Sequence, residues 1–369
     1  MCAGYEVPEG YELEHFVLKS GDSLSCTELI DEAFYESYKN EGGTIAFTPE
    51  TFEIAFGSPI IRRDLFLRVR HLESGDIVGF FGAVPRTLKF PDGNNYEYCC
   101  PTCLTVRTDH QRRGLATCMI LKGLEIVKES NWDGAYMFLN VKHPAKTAAK
   151  KVLGDDLKTV YTIKRFIVRI MDVERVSKTM RAGALKWYEK IYLRFKSRLK
   201  KCQVDDVRTL EYGDIPKLYE LSKDFEKKND ISVVRDLKDF EWFMKLPYVI
   251  TVVHDSKDGS PDGFISAWPF KLAGLGSTCN MGLIDAVHTY NLDMTAASNL
   301  TAKLCLIADE NGWAGLQTPF IPYFSAKPFL KSRFMLLRAS RVRANEEIVM
   351  LSLSGHEIPK VNSLYLDWR

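Results

Sequence analysis

The chain has 369 residues, long for one core and comfortable for two, and its 46% apolar and 27% charged residues are the balance of a water-soluble globular protein. Fifty basic against 48 acidic residues leave a formal charge of +2, so bulk charge points to neither a nucleic-acid nor a membrane partner. Nine cysteines make no disulfide scaffold at this length, the first residues lack a secretory pattern, and no apolar run reaches about 18 residues. A reduced, cytoplasmic protein without stable membrane insertion is expected.

In chain order, Tyr11 to Leu18 predicts a strand and Leu24 to Tyr38 a helix. Thr48-Pro49-Glu50 starts a short second helix with Thr48 as its N-cap. Leu65 to His71 alternates like a strand. Asp76 to Phe90, the turn Asp92-Gly93-Asn94-Asn95 and Tyr96 to Val106 predict a long hairpin. From Leu115 apolar residues recur at helical spacing to about Glu129. Tyr136 to Asn140 follows as a strand, Pro144 to Leu153 as a helix, and Thr159 to Ile170 as one last strand. Cys99, Cys100 and Cys103 include a Cys-x-x-Cys spacing, but with no second pair it predicts no metal site.

Between Val106 and the Leu115 helix lies Gln111-Arg112-Arg113-Gly114-Leu115-Ala116. A helix N-terminus carries unpaired N–H groups and the positive end of the macrodipole, and so seats a diphosphate. Gly114 and Ala116 allow close approach to the backbone, and Arg112 and Arg113 add charge. A basic turn capping an ordinary helix is the plainer alternative.

Val173 to Lys201 reads as one long amphipathic helix, with Met180, Ala184, Trp187, Ile191, Phe195 and Leu199 on its apolar stripe. Ten basic and two acidic residues lie between Glu174 and Lys201. Such a helix either connects two domains, packing its stripe on both, or lies on a membrane surface; the connector is the preferred expectation.

The first half then starts again. Strand-like Val207 to Leu210, helices Ile215 to Lys227 and Asp236 to Leu246, and strand Tyr248 to His254 follow. Gly263-Phe264-Ile265-Ser266-Ala267-Trp268-Pro269 echoes Gly79-Phe80-Phe81-Gly82-Ala83-Val84-Pro85 at Gly, Phe, Ala and Pro. Strand Cys279 to His288, helix Met294 to Asn311, strand Gly315 to Thr318 and helix Ser325 to Lys331 repeat the earlier order. Strands Phe334 to Val342 and Ile348 to Leu353 close the set. A duplication is the economical explanation. At the place of the first loop the second half has Thr289-Tyr290-Asn291-Leu292-Asp293, without cations, so the second copy is expected to bind no diphosphate.

Strand, Gln-Arg-Arg-Gly-Leu-Ala loop and helix together resemble the pyrophosphate-binding motif of the GNAT superfamily of acyl-CoA-dependent N-acyltransferases. The tandem layout, with an active loop first and a degenerate one second, is similar to that of the N-myristoyltransferase family. The resemblance implies an α+β fold with mixed α/β sheets. It divides the chain into a GNAT domain binding acyl-CoA (residues 1–172), a basic connecting helix (173–201) and a degenerate GNAT-like domain (202–369). It also implies acyl transfer from acyl-CoA, with no metal, to an amine acceptor, either a small molecule or a peptide or protein amine, held between the domains.

Gly114 stands where N-myristoyltransferases carry a basic residue and looks more like an acetyltransferase. Acetyl-CoA is therefore the default donor and a longer fatty acyl-CoA the alternative; a catalytically inactive acyl-CoA-binding protein is a third reading. By position in the family, Leu104, Val106, Gln111, Arg112, Arg113, Gly114, Leu115, Ala116 and Asn140 would hold the coenzyme. The backbone N–H groups of Cys103 and Leu104 would polarise the thioester carbonyl, unless both are simply buried strand residues. The acid tyrosine usual in acetyltransferases, four residues before Gly154, is Lys150 here; Tyr136, Tyr161 and His143 are substitutes. Asp285 and His288 are the side-chain candidates for the acceptor. The tail from Asn362 resembles that of the N-myristoyltransferases, in which the terminal carboxylate serves as the base, here on Arg369; alternatively the tail covers a sheet edge.

Overall fold

The computed structural model describes residues 6–19, 22–38, 44–61, 65–140, 144–179, 186–199, 205–339 and 346–368. The first half runs β1 (Tyr11–Phe16), α1 (Ser23–Tyr38), β2 (Thr44–Ala46), α2 (Pro49–Phe56), β3 (Phe66–His71), β4 (Ile77–Lys89) and β5 (Asn95–Val106). Then come α3 (Leu115–Glu129), β6 (Gly134–Asn140), α4 (Pro144–Leu153), β7 (Lys158–Ile163), β8 (Arg165–Ile170), α5 (Val173–Thr179) and α6 (Trp187–Ser197). The second half runs β9 (Val207–Thr209), α7 (Ile215–Lys228), β10 (Ile231–Val234), α8 (Leu237–Met244), β11 (Ile250–Asp255), β12 (Pro261–Gly274) and β13 (Ser277–His288). It closes with α9 (Met294–Glu310), β14 (Gly315–Pro319), α10 (Lys327–Lys331), β15 (Met335–Arg338), β16 (Glu346–Ser352) and β17 (Leu364–Tyr365). Local chemistry sets several of the starts. Thr48 accepts from Thr51 N ahead of Pro49, and Asp236 and Asp293 cap α8 and α9 through their carboxylates.

By packing the chain forms two compact units. The first holds a seven-strand path, β1-β3-β4-β5-β6-β16-β7. Leu115, Met119, Ile126 and Val127 of α3 pack on Val69, Val78, Phe81 and Cys99 of its sheet. Burying each such large apolar side chain contributes about 1.5–3 kcal/mol, which fixes α3 against the strands. The second unit holds β15-β8-β14-β13-β12-β11-β9, with β2 on β12 and the pair β10-β17.

The two seven-strand paths repeat one order, each with one parallel pair at the corresponding place, β5-β6 and β13-β14. In both, the strand next to the parallel pair comes from the other half of the sequence. β16 lies between β6 and β7, and β8 lies between β14 and β15. The single strand expected from Thr159 to Ile170 is therefore two strands, broken at Lys164 and paired in different sheets. For the same reason the compact units do not follow the contiguous boundaries expected at 172 and 202, because β8 packs with the second copy and β16 with the first.

The expected single helix from Val173 to Lys201 is also corrected. Lys186 is extended (φ −69°, ψ 156°), so α6 starts afresh at Trp187, and Met180 and Ala184 lie outside the described residues. On α6 the stripe of Trp187, Ile191 and Phe195 is exposed rather than packed; Leu193 is the residue it buries.

The exchange leaves its mark on two glycines that begin equivalent strands. A Cβ on Gly134 would lie 2.3 Å from the carbonyl oxygen of Leu351 in β16, and one on Gly315 would lie 2.4 Å from that of Arg169 in β8. Both glycines follow a tryptophan by two residues, Trp132-Asp133-Gly134 and Trp313-Ala314-Gly315, a second echo between the copies. Gly134→Ala and Gly315→Ala are each expected to lower the unfolding free energy by about 2–4 kcal/mol, because backbone rather than a movable side chain is in the way. Chemical denaturation of the two variants checks this; wild-type stability in both would contradict the close approach.

Candidate active site

The site grows from β5. It pairs with β4 along most of its length, but with β6 only at Tyr98↔Gly134 and Cys99↔Ala135. Beyond Cys99 the two strands part, and the β6-facing backbone of β5 from Pro101 onward has no strand partner. On the β4 side the register slips between Gly82↔Thr102 and Phe80↔Thr105, leaving Cys103 and Leu104 opposite Phe81 alone. This is a β-bulge, which re-aims the backbone next to the opening. Cys103 adopts φ +54°, a left-handed conformation that costs a non-glycine residue on the order of 1 kcal/mol or more. Thr105 steadies it by donating to the Cys103 carbonyl at 2.9 Å. Desolvation pushes the Cys103 thiol up to about 12, so at neutral pH it is no nucleophile. What the bulge offers to chemistry is backbone.

Leu104 packs partly buried on the α3 core, and Val106 ends the strand within it. The loop that follows is built on a platform. Tyr11 Oη lies 2.7 Å from Nδ1 of buried His110, and Arg107 Nη2 lies 2.8 Å from its Nε2. Arg107 also grips Asp109 through Nε (2.9 Å) and Nη2 (3.1 Å). Desolvation lowers the His110 pKa, so the ring is neutral under physiological conditions. Gln111 ties the loop back to its strand, donating from Nε2 to the Val106 carbonyl at 3.0 Å. Its role here is structural as well as positional.

Arg112 (φ +62°) and Gly114 (φ +87°) are left-handed with Arg113 between them, an alternation from which anion-binding nests of N–H groups are made. Gly114 is the N-cap of α3 and provides no side-chain cap, and among the described residues no side chain caps the first N–H groups of the helix. Gln111 to Gly114 are exposed. Arg113 donates to the Asp109 carbonyl at 3.3 Å and lies 5.9 Å over the Tyr11 ring. Among the described residues Arg112 has no hydrogen-bond or ion-pair partner. A loop with a helix N-terminus, a nest and two exposed arginines has the chemistry to receive a polyanion such as a diphosphate.

The other expected residues are placed as follows. Asn140 ends β6 opposite Glu346, with its side chain outside the described residues, as are His143 and Arg369. Tyr136 is buried, Tyr161 half-buried with its pKa raised by desolvation, and Lys150 exposed. Asp285 and His288 are fully buried in the second unit and have internal partners. His288 Nε2 lies 3.1 Å from Asp224, its ring stacks on Phe264, and desolvation lowers its pKa.

Asp285 is the extra residue of a bulge between Ser266↔Ala286 and Ala267↔Ile284, in the strand of the second copy that corresponds to β5. It accepts from Trp368 N at 3.0 Å and from Arg235 Nη2 at 3.3 Å. Arg235 also reaches Asp367 at 3.4 Å and Tyr365 Oη. Tyr365 in turn stacks on Phe225 at 4.1 Å. Leu364, Tyr365 and Leu366 are fully buried, and Asp230 accepts from Asn362 N and Ser363 N. Where the first copy leaves its bulge open, the second closes it with a buried ion cluster and the end of the chain. The Arg235 cluster and the Tyr11–His110–Arg107 platform had not been expected. The signal for the first was a charge inside the doubly apolar strand Gly282-Leu283-Ile284-Asp285-Ala286-Val287.

Sheet order, exchanged strands and parted central pair can be compared with solved structures. Saccharomyces cerevisiae N-myristoyltransferase with bound myristoyl-CoA superposes with a TM-score of 0.75 over 95% of this chain and 85% of that one, at 16% identity. The chain has the tandem GNAT fold. A second structure of the yeast enzyme with bound myristoyl-CoA gives 0.75, covering 95% of this chain and 81% of that one, also at 16% identity. A third, with myristoyl-CoA and inhibitors, gives 0.72 over 95% and 82%, again at 16%. No family model matches the sequence, and no curated protein matches it.

Within the tandem GNAT fold the loop makes a direct prediction. If the loop seats the diphosphate of coenzyme A, Arg112→Ala with Arg113→Ala is expected to weaken coenzyme A binding by about 2–4 kcal/mol, the scale of charge-assisted hydrogen bonds, while stability moves by less than about 1 kcal/mol. Calorimetry paired with thermal unfolding reads both. Unchanged affinity would leave the loop an ordinary helix cap.

Proposed function

We propose that the chain is an acyl-CoA-dependent N-acyltransferase whose first copy binds the coenzyme and whose donor carries a fatty acyl chain. The observation that carries this is the opening of β5 from β6 beside the Cys103 bulge, with the exposed Gln111–Ala116 loop at the end of the same strand. The diphosphate sits on the α3 N-terminus with Arg112 and Arg113. The pantetheine arm runs along the unpaired edge of β5 past Val106 and Leu104, exchanging hydrogen bonds with backbone groups that otherwise meet water. The thioester carbonyl then reaches the N–H groups of Cys103 and Leu104.

A neutral amine attacks that carbonyl, and the N–H groups hold the oxyanion of the tetrahedral adduct. The carbon–sulfur bond breaks as the amide forms, and coenzyme A leaves as a thiolate that takes up the proton the amine nitrogen gives up. Preorganised backbone donors supply on the order of 3–4 kcal/mol of barrier lowering in such sites. The acceptor is an amine, in a peptide, a protein or a small molecule.

The fatty chain is preferred to acetyl because the yeast structures of the same fold hold myristoyl-CoA. Gly114, the ground for expecting acetyl, is accounted for by its φ of +87°, which a glycine adopts freely whatever the acyl group.

Two outcomes follow. With a panel of amine acceptors, release of free thiol from acyl-CoAs of increasing length is expected to rise toward the fatty donors. Turnover on acetyl-CoA alone would restore the acetyl reading, and tight binding with no thiol release from any donor would make the chain an acyl-CoA-binding protein. Cys103→Ala is expected to keep kcat within about threefold, since the group that acts is backbone; a loss of a hundredfold or more would put the thiol in the chemistry.

A further inference from the structure

We infer that α6 is a membrane-surface anchor, which seats the second unit on anionic lipid. Trp187, Tyr188, Ile191, Tyr192 and Phe195 are each at least half exposed, with Trp187 the most at 74%. At 100° per residue the five fall in one arc of about 140° on the helix. The other large apolar side chains that are exposed among the described residues, such as Val17, Leu72 and Leu275, are scattered singly over other elements. Single exposed apolar groups are ordinary; five side by side on eleven residues are an interaction surface.

The borders of the arc say what covers it. Lys190 and Arg194 flank one side, Lys196 the other, and Lys186 and Arg198 stand at the ends. Arg194 is paired with exposed Glu174, and Glu189, the one acid of the helix, is turned back onto the Lys186 N–H. The cations lie over the aromatic rings themselves: Lys186 over Tyr188, Lys196 over Tyr192 and Arg198 over Phe195, at 5.8, 5.7 and 6.0 Å. Trp and Tyr rings rimmed by Lys and Arg match the headgroup layer of an anionic bilayer: the rings enter the acyl boundary and the cations meet phosphate and carboxylate. A protein partner of like character would leave four cations, Lys186, Lys190, Lys196 and Arg198, to be paired one by one.

The fold holds the helix by its back. Leu193 is buried beneath it. Buried Arg169 donates through Nη2 to the carbonyls of Ser197 (3.1 Å) and Arg198 (3.0 Å) and through Nη1 to that of Lys196, closing the C-terminal end. Arg333 adds a bond to the Arg198 carbonyl at 2.8 Å. These bonds satisfy the last orphan carbonyls and fix which face points out. No helix among the described residues is long and apolar enough to cross a membrane, so the anchor lies in the interface and releases reversibly.

The test is independent of catalysis. The full chain is sedimented with vesicles of phosphatidylcholine alone and with about one-third phosphatidylserine. Binding is expected to the anionic vesicles and to fall in high salt. Trp187→Ser with Phe195→Ser, and separately Lys190→Glu with Lys196→Glu, should each weaken it about tenfold or more, with thermal unfolding little changed because Trp187, Lys190 and Phe195 are exposed and Lys196 is only half-buried, over the Tyr192 ring. Absence of binding to anionic vesicles would overturn the inference, as would equal binding by both double variants. A wild-type dimer in light scattering that the Trp187→Ser, Phe195→Ser variant abolishes, with no vesicle binding, would assign the face to a second copy instead.

Discussion

The candidate site of the first unit depends on two strands that separate. β5 and β6 share only two residue pairs, while β6 pairs along its whole length with β16 on its other edge. Among the described residues the separation leaves a length of β5 edge without a strand partner, which a fold ordinarily covers unless a ligand does so. The Cys103 bulge concentrates strain at the same place, and the left-handed Arg112 and Gly114 concentrate positive potential at the strand's end. Three independent departures from regular structure converge on about a dozen residues, which is how folds mark the place where they meet a ligand.

The second unit shows the same architecture with the opening closed. Its parallel pair is equally short, Gly282↔Leu316 and Leu283↔Gln317, and its bulge is in the corresponding strand. There, however, the bulged residue is Asp285, bound to Arg235 and to the Trp368 N–H, with Asp367 and Tyr365 around the same guanidinium. A buried charge cluster of this kind gains little over apolar packing, but removing one member costs about 3–5 kcal/mol, so it fixes one arrangement of the tail against others. Duplication has thus given one copy that exposes backbone and one that spends its backbone on its own chain.

The sequence made the local parts legible. Helix α3 and its loop follow from periodicity and from two arginines beside a glycine, and the Gly-Phe-x-x-Ala-x-Pro echo disclosed the repeat. The strand exchange stayed hidden, because alternation in Thr159 to Ile170 is the same whichever sheet a strand joins, and Lys164 is an inconspicuous break. The exposed arc of α6 was misjudged for a related reason: spacing shows that apolar residues share a face and is silent about what that face meets. Asp285 and His288 were legible as unusual, yet a polar residue in an apolar strand signals a buried partner as readily as a substrate. The bulge at Cys103 has no sequence signal at all, since its side chain plays no part in making it.

The measurement that bears most directly on this account is the stoichiometry of coenzyme binding. Isothermal titration of the full chain with a fatty acyl-CoA reads both copies at once. The account predicts one saturable site per chain, since only the first copy has the open strand edge and the cationic loop. Two equivalent sites would contradict the closure of the second copy, and the absence of any site would contradict the reading of the first.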